Sequence, residues 1–141
     1  MKRRSNDAVY FKDDLLRKVL EHKPVQLGDL VDMLFPRETN VKQFECALKL
    51  LQTLEKRDKM SNIEALDMFS SPNERYMLMG SVLSKLKKFG IVETDRINGS
   101  KKYYLKLSGG FSQILRDIGL DLHGFYWRHA NDTKQLEGNT H

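Results

Sequence analysis

The stretch from Ser70 to Leu107 most constrains what this chain can fold into, because it specifies a capped helix and then a tight hairpin. Ser71-Pro72-Asn73-Glu74 supplies a serine N-cap, a proline at the first helical position and a glutamate three residues after the cap, a strong helix start. Tyr76, Met79, Val82, Leu83, Leu86 and Phe89 then recur at three- and four-residue spacing, an apolar stripe that carries the helix over 72–89. Gly90, after Lys87, Lys88 and Phe89, is the expected left-handed stop. Beyond it, 91–97 and 100–107 read as strands joined by Asn98-Gly99, the strongest two-residue hairpin signal. A two-residue turn there sets Arg96 opposite Lys101, Asp95 opposite Lys102 and Val92 opposite Leu105. Like charges across a ribbon repel, so an Arg96/Lys101 pair at the tip makes sense if a polyanion sits there.

Charge is distributed to match. Of the chain's 24 lysines and arginines and 19 acids, residues 70–107 hold eight bases and three acids. Outside that stretch the two signs balance, so the whole net charge of +5 lies in it. Concentrated basicity is the electrostatic footprint of nucleic-acid binding, against the blander alternative of a lysine-decorated solvated surface.

The 141 residues suffice for one domain, or for two very small ones sharing a core. No apolar run approaches the roughly 20 residues that span a bilayer, which argues against a membrane partner. No secretory-type apolar segment follows the basic start, and a single cysteine, Cys46, excludes an intrachain disulfide and a zinc-finger cluster. These features point to a cytoplasmic protein.

In chain order, residues 1–8 read as a disordered arm in which Lys2, Arg3 and Arg4 could touch a DNA backbone. Residues 9–40 form an N-terminal helical unit. Its first helix runs from Tyr10 to Glu21 with Leu15, Leu16, Val19 and Leu20 inward, and its second carries Leu27, Leu30, Val31 and Leu34 and stops at Pro36. A third helix, Val41 to about Lys56, places Val41, Phe44, Ala47, Leu48, Leu51 and Leu54 on one side. Leu50 widens that stripe enough for packing on two sides. Ser61-Asn62-Ile63-Glu64 is a capping box opening a short helix with Ile63, Leu66 and Phe69 inward. Six apolar positions from Leu16 to Leu48 recur 34 residues later from Leu50 to Val82, which fits a tandem array or a mere repeat of helical periodicity. After Ser108-Gly109-Gly110, Phe111, Ile114, Leu115 and Ile118 begin an amphipathic helix over 108–129 that ends in Phe125, Tyr126 and Trp127; residues 130–141 are polar and read as a disordered tail.

The order helix, short capped helix, turn, long helix and basic hairpin over 41–107, with the phrase Leu83-Ser84-Lys85-Leu86-Lys87-Lys88-Phe89-Gly90-Ile91-Val92-Glu93, resembles the winged helix-turn-helix superfamily of bacterial and archaeal regulators. The resemblance covers about half the chain. It implies a mainly α fold with a small β-hairpin wing, flanked by extra N- and C-terminal helices. It also implies a nucleoid-associated transcriptional regulator that binds double-stranded DNA as a homodimer through its N- and/or C-terminal helices. On that reading the helix over 72–89 enters the major groove with Arg75, Ser81, Ser84, Lys85 and Lys88 on its exposed face. The wing over 91–107 grips the backbone with Arg96, Lys101 and Lys102, its tip shaped by Asn98 and Gly99.

The alternative is a winged-helix module that binds protein in a larger assembly, supported by the apolar first turn Tyr76-Met77-Leu78 and the aromatic C-terminal segment. Structured-RNA binding has no RNP-type or GXXG motif behind it. No phosphate loop, HExxH, CxxC or GxSxG motif appears, so neither an enzyme nor a cofactor is expected. His22, His123, His129 and His141 are scattered and read as surface residues, giving no metal site.

Overall fold

A computed structural model of the chain describes residues 8–138. The basic arm at Lys2, Arg3 and Arg4 and the last three residues of the expected tail lie outside the described residues. The architecture is mainly helical with a small three-stranded antiparallel sheet. Helices α1 (Asp13–Leu20), α2 (Leu27–Leu34) and α3 (Val41–Glu55) lead to strand β1 (Met60–Ser61) and helix α4 (Asn62–Asp67). A continuous helical run follows: α5 (Pro72–Met77), a π turn (Leu78–Val82) and α6 (Leu83–Lys88). Strands β2 (Val92–Arg96) and β3 (Tyr103–Leu107) form the hairpin, and α7 (Gly110–Gly138) closes the chain. The chain divides into two compact units at Ser108 and Gly109.

The first unit is built around α3. Phe44, Cys46, Ala47, Leu50, Leu51 and Leu54 are all buried, more than one helical face can supply. Accordingly α2 packs on one side of α3, and α5, the π turn and β3 on another. Val31, Leu34 and Phe35 reach this core from α2 and its C-cap, and Leu78, Val82, Leu86, Ile91, Val92 and Leu105 reach it from the helical run and the hairpin.

Local signals placed most helix ends. Ser61 caps α4, its hydroxyl accepting from the Glu64 amide at 3.1 Å, and the Glu64 carboxylate returns to the Ser61 amide at 3.5 Å. Ser71 caps α5 through the Glu74 amide. Gly90 takes φ +72, with Ile91 N–H donating to the Leu86 carbonyl at 2.9 Å and Gly90 N–H to Lys87 at 3.0 Å, a Schellman stop. Helix α1 ends the same way on His22 (φ +56), with Lys23 N–H bonded to the Lys18 carbonyl. Two acids near the N-terminal helices are tied locally. Asp29 accepts from Lys18 Nζ at 2.9–3.0 Å and from the Gln26 amide at 2.9 Å, and Asp32 accepts from Lys12 Nζ at 3.0 Å.

Several expectations need correction. Leu15 is buried, but Leu16, Val19 and Leu20 face solvent, Leu20 at 80% exposure, so α1 lies on the core by one edge of its apolar face. Leu50 and Leu54, the counterparts of Leu16 and Leu20 34 residues on, are fully buried, so the repeat is one of periodicity at these positions. In α4, Ala65 takes the inner position and Ile63 is exposed. Strand β1 has two residues and so carries no period in the sequence. Its Met60 pairs with Leu105 and its Ser61 with Tyr104. Helix α7 continues to Gly138, through most of the segment whose composition suggested a disordered tail.

The Lys18 ammonium and the Gln26 amide hold the Asp29 carboxyl below its ordinary range, in that order of strength. A carboxyl depressed on folding stabilises the native state above its unfolded value, and that contribution is lost as pH falls through about 4 toward the folded value. Thermal unfolding followed from pH 7 to pH 3 should therefore show an acid-side loss of Tm that is smaller in Asp29→Asn, whose Tm at pH 7 is already lower. Equal slopes in the two proteins would remove Asp29 from that account.

Candidate functional site

The hairpin does not close as the Asn98-Gly99 pair implies. The ladder sets Val92 opposite Leu107, Glu93 opposite Lys106, Asp95 opposite Tyr104 and Arg96 opposite Tyr103, a register two residues away from the expected one. A two-residue type I′ turn needs positive φ at both central residues, and here Gly99 (φ +75) adopts it while Asn98 does not. The chain instead bends over Asn98, Gly99, Ser100 and Lys101. Ser100 N–H donates to the Ile97 carbonyl, Ile97 N–H to the Lys102 carbonyl, and Lys102 N–H to Ser100 Oγ at 2.9 Å. Arg96 and Lys101 are therefore not cross-strand neighbours, and the repulsion argued from that pairing disappears.

Register also decides which cations are engaged. Lys106, opposite Glu93, reaches that carboxylate at 3.1 Å and Asp95 at 3.3 Å; hydrogen bonds to Glu93 and then Asp95 hold its ammonium above the ordinary lysine value. Both acids of the ribbon are thus satisfied by one lysine. Among the described residues, no acid pairs with Arg96, Lys101 or Lys102, all exposed. By strand alternation Arg96 shares a face with Tyr103, whereas Lys102, one position earlier, belongs to the other face with Tyr104 and Lys106. The tip presents its cations in several directions.

On the helical run the expected exposed face separates into two groups. Ser84 and Lys88 are exposed, as is Lys87. Arg75 is exposed too, with its Nε–H donating to the Phe69 carbonyl at 2.7 Å, which orients the guanidinium along the start of α5. Ser81 is half-buried and turned toward α3, accepting from Gln43 Nε2 at 2.9 Å. Lys85 contradicts its assignment. It is 4% exposed, and its ammonium donates to the Leu34 carbonyl at 2.6 Å and lies 5.2 Å from the Phe35 ring, 5.9 Å from Tyr10 and 6.0 Å from Phe89. A buried cation needs such partners, and a carbonyl oxygen ringed by aromatic faces supplies them. Lys85 anchors the N-terminal segment to α6 and cannot meet a ligand.

The apolar first turn is largely resolved by packing. Leu78 is completely buried and Met77 half-buried, leaving Tyr76 alone outside at 84% exposure. The ribbon is tied to the helices by side chains. Tyr103 O–H donates to Met79 Sδ at 3.3 Å and its amide donates to Asn62 Oδ1 at 3.2 Å, while Lys59 Nζ lies 4.3 Å from the Tyr104 ring.

Beside the start of α5, a cavity of about 370 Å³ opens between Lys42, Glu45, Cys46, Lys49, Glu74 and Met77. Burial, and then the Glu74 charge, push the Cys46 thiol up to about 11, so it stays protonated and unreactive at neutral pH. In α7 the Trp127 indole N–H donates to His123 Nε2, and no group of three His, Cys, Asp or Glu among the described residues could hold a metal ion. No helix of the described residues is long and apolar enough to cross a membrane. No protein-family model, curated protein sequence or solved structure matches the chain.

Proposed function

We propose that the chain is a winged helix-turn-helix regulator that binds double-stranded DNA. The element order supports it: α3, a two-residue strand, α4, the helical run and a hairpin whose second strand pairs with the first short one. The observation that carries the reading is the set of exposed cations. Arg75, Lys87 and Lys88 stand on the helical run and Arg96, Lys101 and Lys102 on the wing, with Glu74 the exposed acid of this stretch outside the Lys106 pairs. Such a set neutralises phosphates, while the helix face between supplies base contacts. A gel shift with random-sequence duplex DNA at low salt tests it: retention is expected, and a protein retained on no duplex would leave the rival, a protein-binding module.

The homodimer belongs to the same proposal. Along α7, Ile114, Leu115, Ile118, Leu122, Phe125 and Tyr126 fall at three- and four-residue spacing, and every one is exposed. A helix with an uncovered stripe of that width gains most of its stability from a partner's apolar face. Leu16, Val19 and Leu20 on α1 offer a second such face. Light scattering after size exclusion should give twice the chain mass for the native protein and a monomer for Ile118→Glu/Phe125→Glu. A monomeric native protein would sink the dimer and leave the DNA reading standing.

A further inference from the structure

Leu78, Val82 and Leu86 form one row of the helical run, and each is completely buried. Two residues along a helix turn the side chain by about 200°. Tyr76, Gly80, Ser84 and Lys88 therefore form the row directly opposite, and all four are exposed. The row is tall at Tyr76, bare at Gly80, shallow at Ser84 and cationic at Lys88. No hydrogen bond or ring contact engages Tyr76 among the described residues.

Gly80 has no reason within the chain to be glycine. It stands inside a helical run, where glycine costs about 1 kcal/mol relative to alanine. Its φ is not in the left-handed region, and a Cβ built on it meets nothing within 4 Å. It also lies within a π turn, a rare conformation that is frequent at functional sites. Gly28, Gly119 and Gly124 stand in helices with equally open space, but Gly80 lies in the row turned away from the core, one turn from the exposed Tyr76, where a missing side chain lets something outside the chain approach closely.

We infer that this row is the surface pressed to the floor of the major groove, with Gly80 at the point of closest approach. Tyr76 is its specificity-determining residue, its ring packed on a thymine methyl. The inference rests on the DNA-binding reading above. Arg75 stands next to Tyr76 at one end of the row and Lys87 next to Lys88 at the other, so the partner that complements it is a polyanion with an apolar feature within reach of Tyr76. The thymine methyl is that feature in duplex DNA.

The test uses the full chain and a pool of randomised duplexes, with selection repeated for the native protein, Tyr76→Ala and Gly80→Ala. The native protein should enrich one sequence. Gly80→Ala should keep or raise Tm yet bind that sequence about tenfold more weakly, because its new methyl holds the helix off the floor. Tyr76→Ala should also lose about tenfold. Replacing thymines by uracil one at a time should weaken the native protein several-fold at one position and leave Tyr76→Ala unchanged there. A native protein that enriches a sequence bound equally by both variants, with no response to uracil, overturns the inference and leaves DNA binding intact. Duplex binding without enrichment of any sequence overturns it too. A native protein that retains no duplex at all overturns the DNA reading itself.

Discussion

A Lys85→Glu variant is expected to lose at least about 4 kcal/mol of unfolding free energy, a large fraction of what a domain of this size possesses. The substitution would place a carboxylate where an ammonium now donates to the Leu34 carbonyl at 2.6 Å, among the rings of Tyr10, Phe35 and Phe89. Two negative poles would then face each other in a site with little water. Lys85→Met separates the contributions. It keeps the length and apolar stem of the side chain and removes only the charged donor, so a loss of about 2 kcal/mol is expected. Urea unfolding at unchanged m-value reads both differences. If Lys85→Glu kept native stability and lost only DNA affinity, the side chain would be a surface contact after all.

The second large effect is on salt dependence. Removing Arg96, Lys101 and Lys102 together should flatten the slope of log affinity against log salt by about three, one for each phosphate that no longer meets a cation. All three are exposed and outside the ion pairs of the ribbon, so the triple alanine variant should unfold within about 0.5 kcal/mol of the native protein. Lys106→Ala is the internal control. That lysine is committed to Glu93 and Asp95, so its loss should lower affinity by freeing two acids while leaving the slope nearly unchanged. An unaltered slope in the triple variant would take the wing out of the interface, whatever the helix does.

These two predictions concern residues that one sequence motif had grouped together, and the contrast shows what was legible. Helix ends were readable because they depend on two or three adjacent residues: Ser61 with Glu64, Ser71 with Pro72, and Gly90 after Phe89. The mainly helical class with a small hairpin followed from periodicity on the same local scale. Lys85 was not legible, because it sits at the edge of the apolar stripe. Which side of that edge is covered depends on Tyr10 and Leu34, more than fifty residues upstream. The hairpin register failed for a related reason. Asn98-Gly99 permits a two-residue turn, but the ladder is also fixed by the pairing of β3 with β1 and by the tie from Tyr103 to Met79. Likewise, nothing in the period of α1 tells that only Leu15 finds the core while Leu16, Val19 and Leu20 remain outside. Gly80 is silent in the sequence, where a glycine within a helix reads only as a minor weakness until the space around it is known.

Ser61 belongs at once to the short strand and to the start of α4. Its backbone pairs with Tyr104 while its hydroxyl receives the Glu64 amide. No spacer separates ribbon from helix, so the angle between them is set at a single residue and neither can swing without breaking the other's first bond. The sheet and α4 therefore move as one body, and local give falls to the four-residue tip around Gly99.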